Sequence, residues 1–318
     1  MKRRLAAVLL LLLILLIQSA ACAEKPSVYE RTAECNTLYW LNGTGWLVEY
    51  PWDDRDPELT RTGAEGYLRL AQNCGIQEVY VYLINSSRSI NFDDMESEPL
   101  LWPLLQECYP GCTVGCLKIG SIDEYCSLFY KTDHHWNYRG SYQGYTDIIR
   151  MMFGEEEPLM QPQETVEFPF TFNGSYYKKL GRTDSDENFV VYRFEYPDMQ
   201  VMINQGRVSA YGRAKQYLAG KMNDQSSYTN CYGEFYGGDN GLVQFCTNRP
   251  ELENIVIFSN SYSNPVNMLI ASYFNNTLVV DPRLFEEEVG NQAELIRILQ
   301  AYGVTKMLLL GDAAFFRW

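Results

Sequence analysis

Histidine is almost missing from this chain of 318 residues: there are two, and they are neighbours, His134 and His135. Any reaction that needs an imidazole base must therefore be run from one place, and a metal site assembled from separate histidines has no material. Long apolar runs are scarce as well. The one continuous stretch, Leu5–Ile17, is 13 residues long, short of the roughly 20 that a membrane-spanning helix needs. Positive charge is in deficit, with 26 Lys and Arg against 40 Asp and Glu and a formal net charge of −14. Such a chain is repelled by nucleic acid and by anionic lipid, so a nucleic-acid partner is excluded. Tight C-x-x-C pairs, internal repeats and low-complexity tracts are absent too.

What is present begins with a leader. Met1-Lys-Arg-Arg4 is basic, the apolar run comes next, and Ser19-Ala-Ala-Cys-Ala23 supplies small residues with an A-x-A site at Ala21–Ala23. That pattern predicts a secretory signal peptide over 1–23 and an extracytoplasmic protein, secreted or in the cell envelope. Lipid modification at Cys22 is the second reading of the same residues. Cleavage leaves 24–318, 295 residues with a formal charge of −17 and eight of the nine cysteines. An even count in an exported chain predicts disulfides. Cys108, Cys112, Cys116 and Cys126 lie close together in a glycine-containing, loop-like stretch where a metal site is the alternative to bridges. Sequons at Asn42, Asn85, Asn173 and Asn275 matter only in a host that glycosylates.

A hydrophobic content of 46% with 14% aromatics is ample for a core. The C-terminal part shows how that core is arranged. Asn254–Phe258 is an apolar run of strand length, followed by a turn, Ser259-Asn-Ser-Tyr-Ser263, and by Pro265 at the start of a helix reaching about Phe274. Thr277–Val280 is a second buried strand, Asn291–Ala301 an amphipathic helix closed by Gly303, and Thr305–Leu310 a third strand. Near the front, Pro57–Cys74 reads as a helix ending at Gly75, and Glu78–Ile84 as another strand of the same sheet. Apolar strands alternating with helices predict an α/β fold, a parallel sheet flanked by helices. Between about 159 and 250 the runs are alternating and aromatic-rich, which predicts a β-rich insertion or lid. It divides the core into a first part, 24–158, and a second, 251–318.

The candidate chemistry centres on Tyr130-Lys-Thr-Asp-His-His-Trp-Asn137. In an extended segment residues i and i+2 share a face, so Asp133 and His135 are placed together and His134 is turned away. A carboxylate beside an imidazole fixes its tautomer and stabilises the cation it forms. The missing partner is a nucleophile at a sharp turn after a strand, where backbone N–H groups at a helix start hold an oxyanion. Ser261 occupies such a turn, with Ser259 and Ser263 as rivals.

The run Lys131–Asn137 with Arg139-Gly140 resembles the signature of the DHHW family of exported bacterial proteins, which is similar to the alginate acetylation proteins of the AlgX and AlgJ type in the SGNH hydrolase superfamily. Gly174-Ser-Tyr-Tyr-Lys-Lys179, Ser261-Tyr-Ser-Asn264 and Val280-Asp-Pro-Arg283 are similar to further blocks of that family, over roughly 37–318. One departure stands out: Asn260 replaces the usual Asp beside the serine. The resemblance implies an SGNH-hydrolase-like fold and acyl chemistry on an envelope polysaccharide, with no cofactor and no metal. Ser261 attacks an acyl donor, His135 serves as base and then acid, and Asp133 orients His135. Asn264 and Arg283 support substrate or oxyanion, with Trp136 on the substrate side or in the packing. The alginate relatives also imply a membrane-bound acyl-transfer partner. A second reading makes the chain a non-catalytic envelope or glycan-binding protein with a degenerate SGNH-like fold. A structural turn at Asp133–Trp136, or a metal bound by Asp133, His134 and His135, are the remaining alternatives.

Overall fold

The structure, a computed structural model, describes residues 27–52, 57–99, 101–205 and 231–317. The expected leader and Cys22 lie outside the described residues. Among those described, no helix is long and apolar enough to cross a membrane.

Four apolar segments build the middle of one sheet: β4 (Glu78–Leu83), β10 (Asn254–Ser259), β11 (Asn276–Val280) and β12 (Lys306–Gly311). They run parallel in the order β4-β12-β10-β11, with β5 (Thr113–Cys116) parallel at one edge. At the other edge β9 (Leu242–Cys246) and β8 (Gln200–Ile203) continue the sheet in antiparallel steps, giving seven strands. These two edge strands come from within the 159–250 stretch, so part of it is built into the sheet. The α/β class predicted from the alternation of apolar strands and helices is the one found.

The strands read as unbroken apolar runs because each buries both faces. Ile255, Ile257, Leu308 and Leu310 point into one core, while Val256, Phe258, Met307 and Leu309 point into the other. On the first face lies α4 (Tyr138–Phe153), held by Tyr145, Ile148, Ile149 and Met152 at helical spacing. Its start is capped by Asn137, whose side chain accepts from the N–H groups of Arg139 and Gly140, and Gly154 ends it with φ 94°. The second face carries α1 (Pro57–Cys74), α2 (Trp102–Cys108), α7 (Pro282–Glu288) and α8 (Gln292–Ala301). Between α2 and α4 lies α3 (Ile122–Leu128). The helix Pro282–Glu288 is not among the expected elements; Asp281 caps it by accepting from Arg283 N–H, and Pro282 occupies its first turn.

Two smaller sheets complete the chain: an antiparallel trio, β1 (Tyr29–Arg31), β2 (Leu38–Leu41) and β3 (Trp46–Glu49), and a ribbon, β6 (Glu164–Thr171) with β7 (Asn188–Arg193). Between the two ribbon strands sits the short helix α5 (Ser175–Leu180), and α6 (Cys231–Tyr236) packs beside them through Tyr232.

The bridges expected from the even cysteine count are not confirmed. Cys35, Cys74, Cys112, Cys116, Cys126 and Cys246 are unbridged thiols in this structure. The sheet separates one of them from the others: Cys112 and Cys116 pack against the core on one face, whereas Cys126 packs against the other. Closeness in sequence therefore leaves Cys126 across a layer from Cys112 and Cys116. Two of the sequons, Asn85 and Asn173, are buried.

Candidate active site

The parallel strands end together, and the residues just past their ends form one cleft, as expected for ligand sites in open α/β sheets. Arg88 comes after β4, Asn260, Ser261 and Tyr262 after β10, Asp281, Pro282 and Arg283 after β11, and Ala314 and Phe315 after β12. With Trp52 and His134 they enclose about 340 Å³. The serine turn is a single 3-10 turn, Ser261–Ser263, capped by Asn260, whose side-chain oxygen accepts from Tyr262 N–H. Ser261 is its first residue, so its N–H has no acceptor within the turn and is available to an anion.

The acid–base pair arrives from elsewhere, on the loop between α3 and α4. Asp133 Oδ1 takes the Nδ1 of His135 at 2.7 Å and the His135 backbone N–H at 2.9 Å. His135 Nε2 lies 2.8 Å from Ser261 Oγ. Ser261, His135 and Asp133 are thus brought together as a continuous hydrogen-bonded relay. His135 is fixed from the side as well: the Tyr232 ring stacks on it at 3.9 Å with 14° between planes, and the Tyr232 hydroxyl donates to Ser261 O at 3.1 Å.

The loop is braced by residues distant in sequence. Ser175 N–H donates to Asp133 Oδ2 at 2.6 Å. Gly174 N–H donates to Thr132 Oγ1 at 3.0 Å, and Tyr176 N–H to Thr132 O at 3.0 Å. A Cβ on Gly174 would come within 2.4 Å of Asp133 Cβ and 2.5 Å of Thr132 O, so only glycine permits this approach. From β7's side, Glu187 accepts from the N–H groups of Lys131 (2.9 Å) and Thr132 (3.2 Å) and from the Thr132 hydroxyl (3.2 Å). Trp136 anchors the other end of the loop. It is fully buried, and Gly144 of α4 makes room for it, since a Cβ there would meet the indole at 2.4 Å. It packs rather than lining the cleft, in contrast to the substrate-side role that the resemblance allowed.

The electrostatics suit a base relay. Burial alone would raise the Asp133 carboxyl, but the adjacent imidazoles and the Ser175 N–H outweigh it and hold the acid well below the usual carboxylate range. It stays ionised, as a group stabilising an imidazolium must. Burial, with the charge of His135 next, pushes His134 well below the ordinary histidine value. Burial pushes Glu187 up to about 7 despite its backbone donors.

Arg283 lines the cleft, but its guanidinium is engaged by Asp281 and by Asp239 Oδ2 at 2.9 Å. Asn264 is mostly buried and donates to Asp239 Oδ1 at 3.1 Å. Both therefore converge on Asp239, a residue that the sequence did not single out, and not on the serine. Ser259 and Ser263, the rivals in the turn, are buried with their hydroxyls turned to Asn260 O. Asn260, where the family pattern has Asp, donates to Asp312 Oδ1 at 3.1 Å. Asp312 is fully buried and also binds Arg88 at 2.9 Å, so a carboxylate at 260 would face another carboxylate. Asn keeps the capping oxygen and adds a donor for Asp312.

Against expectation, His134 is not turned away from His135. The two rings lie 3.8 Å apart, His134 lines the cleft, and its Nδ1 sits 2.7 Å from Ser175 Oγ. Donor atoms of Asp133, His134 and His135 all fall within 4.8 Å of one another. A divalent ion could bridge that spacing only by competing with the Asp133–His135 and His135–Ser261 bonds.

Sequence reasoning misses Glu187, Tyr232 and Arg88. Glu187 looks like one acid in a polar turn, and Tyr232 like one tyrosine among 24. Arg88 lies just beyond a strand that is recognisable, and position at a strand end is the signal that could have found it.

No protein-family model matches the sequence, and no curated protein matches it. Solved structures do. A DHHW family protein from Eubacterium siraeum superposes with a TM-score of 0.65 at 15% identity, over 92% of this chain and 95% of that one. Bacillus cereus PatB1 with a sulfonyl adduct gives 0.63 at 13% identity, over 88% and 97%. A second PatB1 structure gives 0.60 at 14%, over 87% and 96%. At these identities the likeness is one of fold, and it includes the family that the Asp133–Trp136 motif resembles.

Proposed function

We propose that this chain is an exported serine acyl-transfer enzyme, an esterase or O-acetyltransferase acting on a cell-envelope or extracellular polysaccharide. The observation that carries this reading is the relay from Asp133 through His135 to Ser261, with 2.7 and 2.8 Å links at the carboxyl ends of the strands. Ser261 Oγ attacks the acyl carbonyl while its proton passes to His135 Nε2. The oxyanion develops beside the Ser261 N–H. Collapse expels the donor's alcohol, which takes the proton from His135 and leaves an ester on Ser261. An acceptor hydroxyl, from water or a sugar, then gives its proton to His135 and attacks that ester, regenerating the serine. Throughout, Asp133 accepts the hydrogen bond from Nδ1–H of His135 and offsets the positive charge on the ring.

Arg283, on the cleft wall, meets substrate from within its pairs with Asp281 and Asp239, and Asn264 steadies it through Asp239. Export rests on the leader pattern of residues 1–23, and the polysaccharide and a membrane-bound acyl-transfer partner come from the sequence resemblance. The sulfonyl adduct described for PatB1 suggests a direct probe, since sulfonyl fluorides modify activated hydroxyls.

The protein is incubated with phenylmethanesulfonyl fluoride and, separately, with 4-nitrophenyl acetate. We expect one modification on the Ser261 peptide, and acetate release that falls by about 10³-fold in Ser261→Ala and in His135→Ala. Turnover unaffected by both substitutions, or no modification at all, would overturn the enzyme reading in favour of a glycan-binding protein.

A further inference from the structure

Two imidazoles meet in this cleft, and the relay uses one. His134 is the other. Its Nδ1 lies 2.7 Å from Ser175 Oγ and 3.6 Å from Asp133 Oδ1, and its side chain lines the cleft beside Ser261, Arg88 and Asn260. A carboxylate so near Nδ1 favours the tautomer that carries the proton there, donated to Ser175 Oγ, which leaves the Nε2 lone pair free. Among the described residues none hydrogen-bonds that nitrogen. The ring is held in place by its partner histidine, 3.8 Å away, and by Tyr262, whose hydroxyl donates to His134 O. Burial and the charge of His135 push His134 below the ordinary histidine value, which favours the neutral ring and its lone pair.

We propose that His134 Nε2 is a fixed hydrogen-bond acceptor for a hydroxyl of the acceptor sugar, placing the neighbouring hydroxyl of that sugar to attack the acyl group on Ser261. This rests on the acyl-serine reading above and deepens it: the acceptor is a polyhydroxylated ring offering two adjacent hydroxyls, and His134 decides between sugar and water. The attacking hydroxyl gives its proton to His135, the new ester C–O bond forms as the bond to Ser261 Oγ breaks, and Oγ recovers the proton. His134 binds the second hydroxyl and takes no proton. Water has no second hydroxyl to anchor, so hydrolysis gains nothing from the contact.

The test is a partition experiment. The acetyl-enzyme is generated with 4-nitrophenyl acetate, and cellotetraose or chitotetraose is added as acceptor. Free acetate and acetylated oligosaccharide are counted by mass spectrometry in wild type, His134→Ala and His134→Gln. We expect the transfer-to-hydrolysis ratio to fall about tenfold in the alanine variant, as for the loss of one neutral hydrogen bond. The glutamine variant, whose carbonyl can reach a similar position, recovers much of it. A ratio that stays at the wild-type value while both rates fall together makes His134 merely structural and overturns the assignment. So does an acetyl-enzyme that transfers to neither sugar. Absence of any acetyl on Ser261 in wild type is a different result, and it removes the acyl-serine reading itself.

Discussion

The serine side and the histidine side of the cleft are built in opposite ways. Ser261 is presented by its own surroundings in sequence: a buried strand, a capped turn and a short helix within about twenty residues, a local geometry that brings the nucleophile to the cleft and leaves its N–H without an acceptor in the turn. The Asp133–His135 loop has no such local frame. It is held by Gly174 and Ser175, some forty residues on, by Glu187, more than fifty residues on, and by the stacked Tyr232 nearly a hundred residues away. A nucleophile can be placed by one strand ending in a turn. A base must be aimed to within a few tenths of an ångström at an atom that another segment supplies, and that requires packing from several sides.

This contrast can be pressed by substitution. The largest effect should come from Asp133→Asn, which keeps the shape but removes the charge that fixes the His135 tautomer. Acetyl ester turnover should fall by about 10³–10⁴-fold with thermal unfolding little changed, and a loss under about tenfold would show that the carboxylate is dispensable. Gly174→Ala probes the bracing directly. A methyl group at 2.4 Å from Asp133 Cβ must displace the loop, and turnover should drop about 10²-fold. Near wild-type turnover would mean that the histidine side is as self-supporting as the serine side.

Glu187→Gln should act more mildly and through pH. The carboxyl of Glu187 is raised from 4.5 to about 7, so its contribution to stability is fully present below about pH 4.5 and lost as pH rises through about 7. The variant should lack this dependence, flattening the change in unfolding free energy between about pH 5 and about pH 8 by up to roughly 3 kcal/mol. Urea unfolding at the two pH values decides it, and identical slopes for both proteins would deny Glu187 that role. The smallest effect belongs to Ser263→Ala on the serine side. Its hydroxyl is turned to Asn260 O, and turnover should stay within about threefold of wild type, against the loss expected for Ser261→Ala.

Much of the core is legible from residue order alone. Apolar runs at 78–84, 254–258, 277–280 and 305–310 read as strands because a strand buried on both faces has no polar positions to interrupt it. The helices over 57–74 and 291–301 are legible from their periodicity and terminal signals. The turn at Ser261 is legible because strand, small polar residues and proline stand in a row. Not legible are the bond from Ser175 N–H to Asp133, the contacts of Glu187 and the placement of Tyr232. Each is made across a gap that no local rule spans. The orientation of His134 escapes the alternation rule for a related reason. The alternation of side chains holds for an extended strand, whereas residues 131–135 form bends whose shape is set by Gly174, Thr132 and Glu187.

By itself the sequence determined the class of fold, the strands and most of the helices of its core, and the residue types available for chemistry, because those depend on local burial patterns and on having two histidines in one place. Only the tertiary structure decided that His135 reaches Ser261, that His134 shares the cleft, that Trp136 is packing, and that the clustered cysteines fall on two faces of a sheet. These are relations between segments far apart along the chain, and a hydrogen bond of 2.8 Å between residues 126 positions apart exists only once every layer between them has packed.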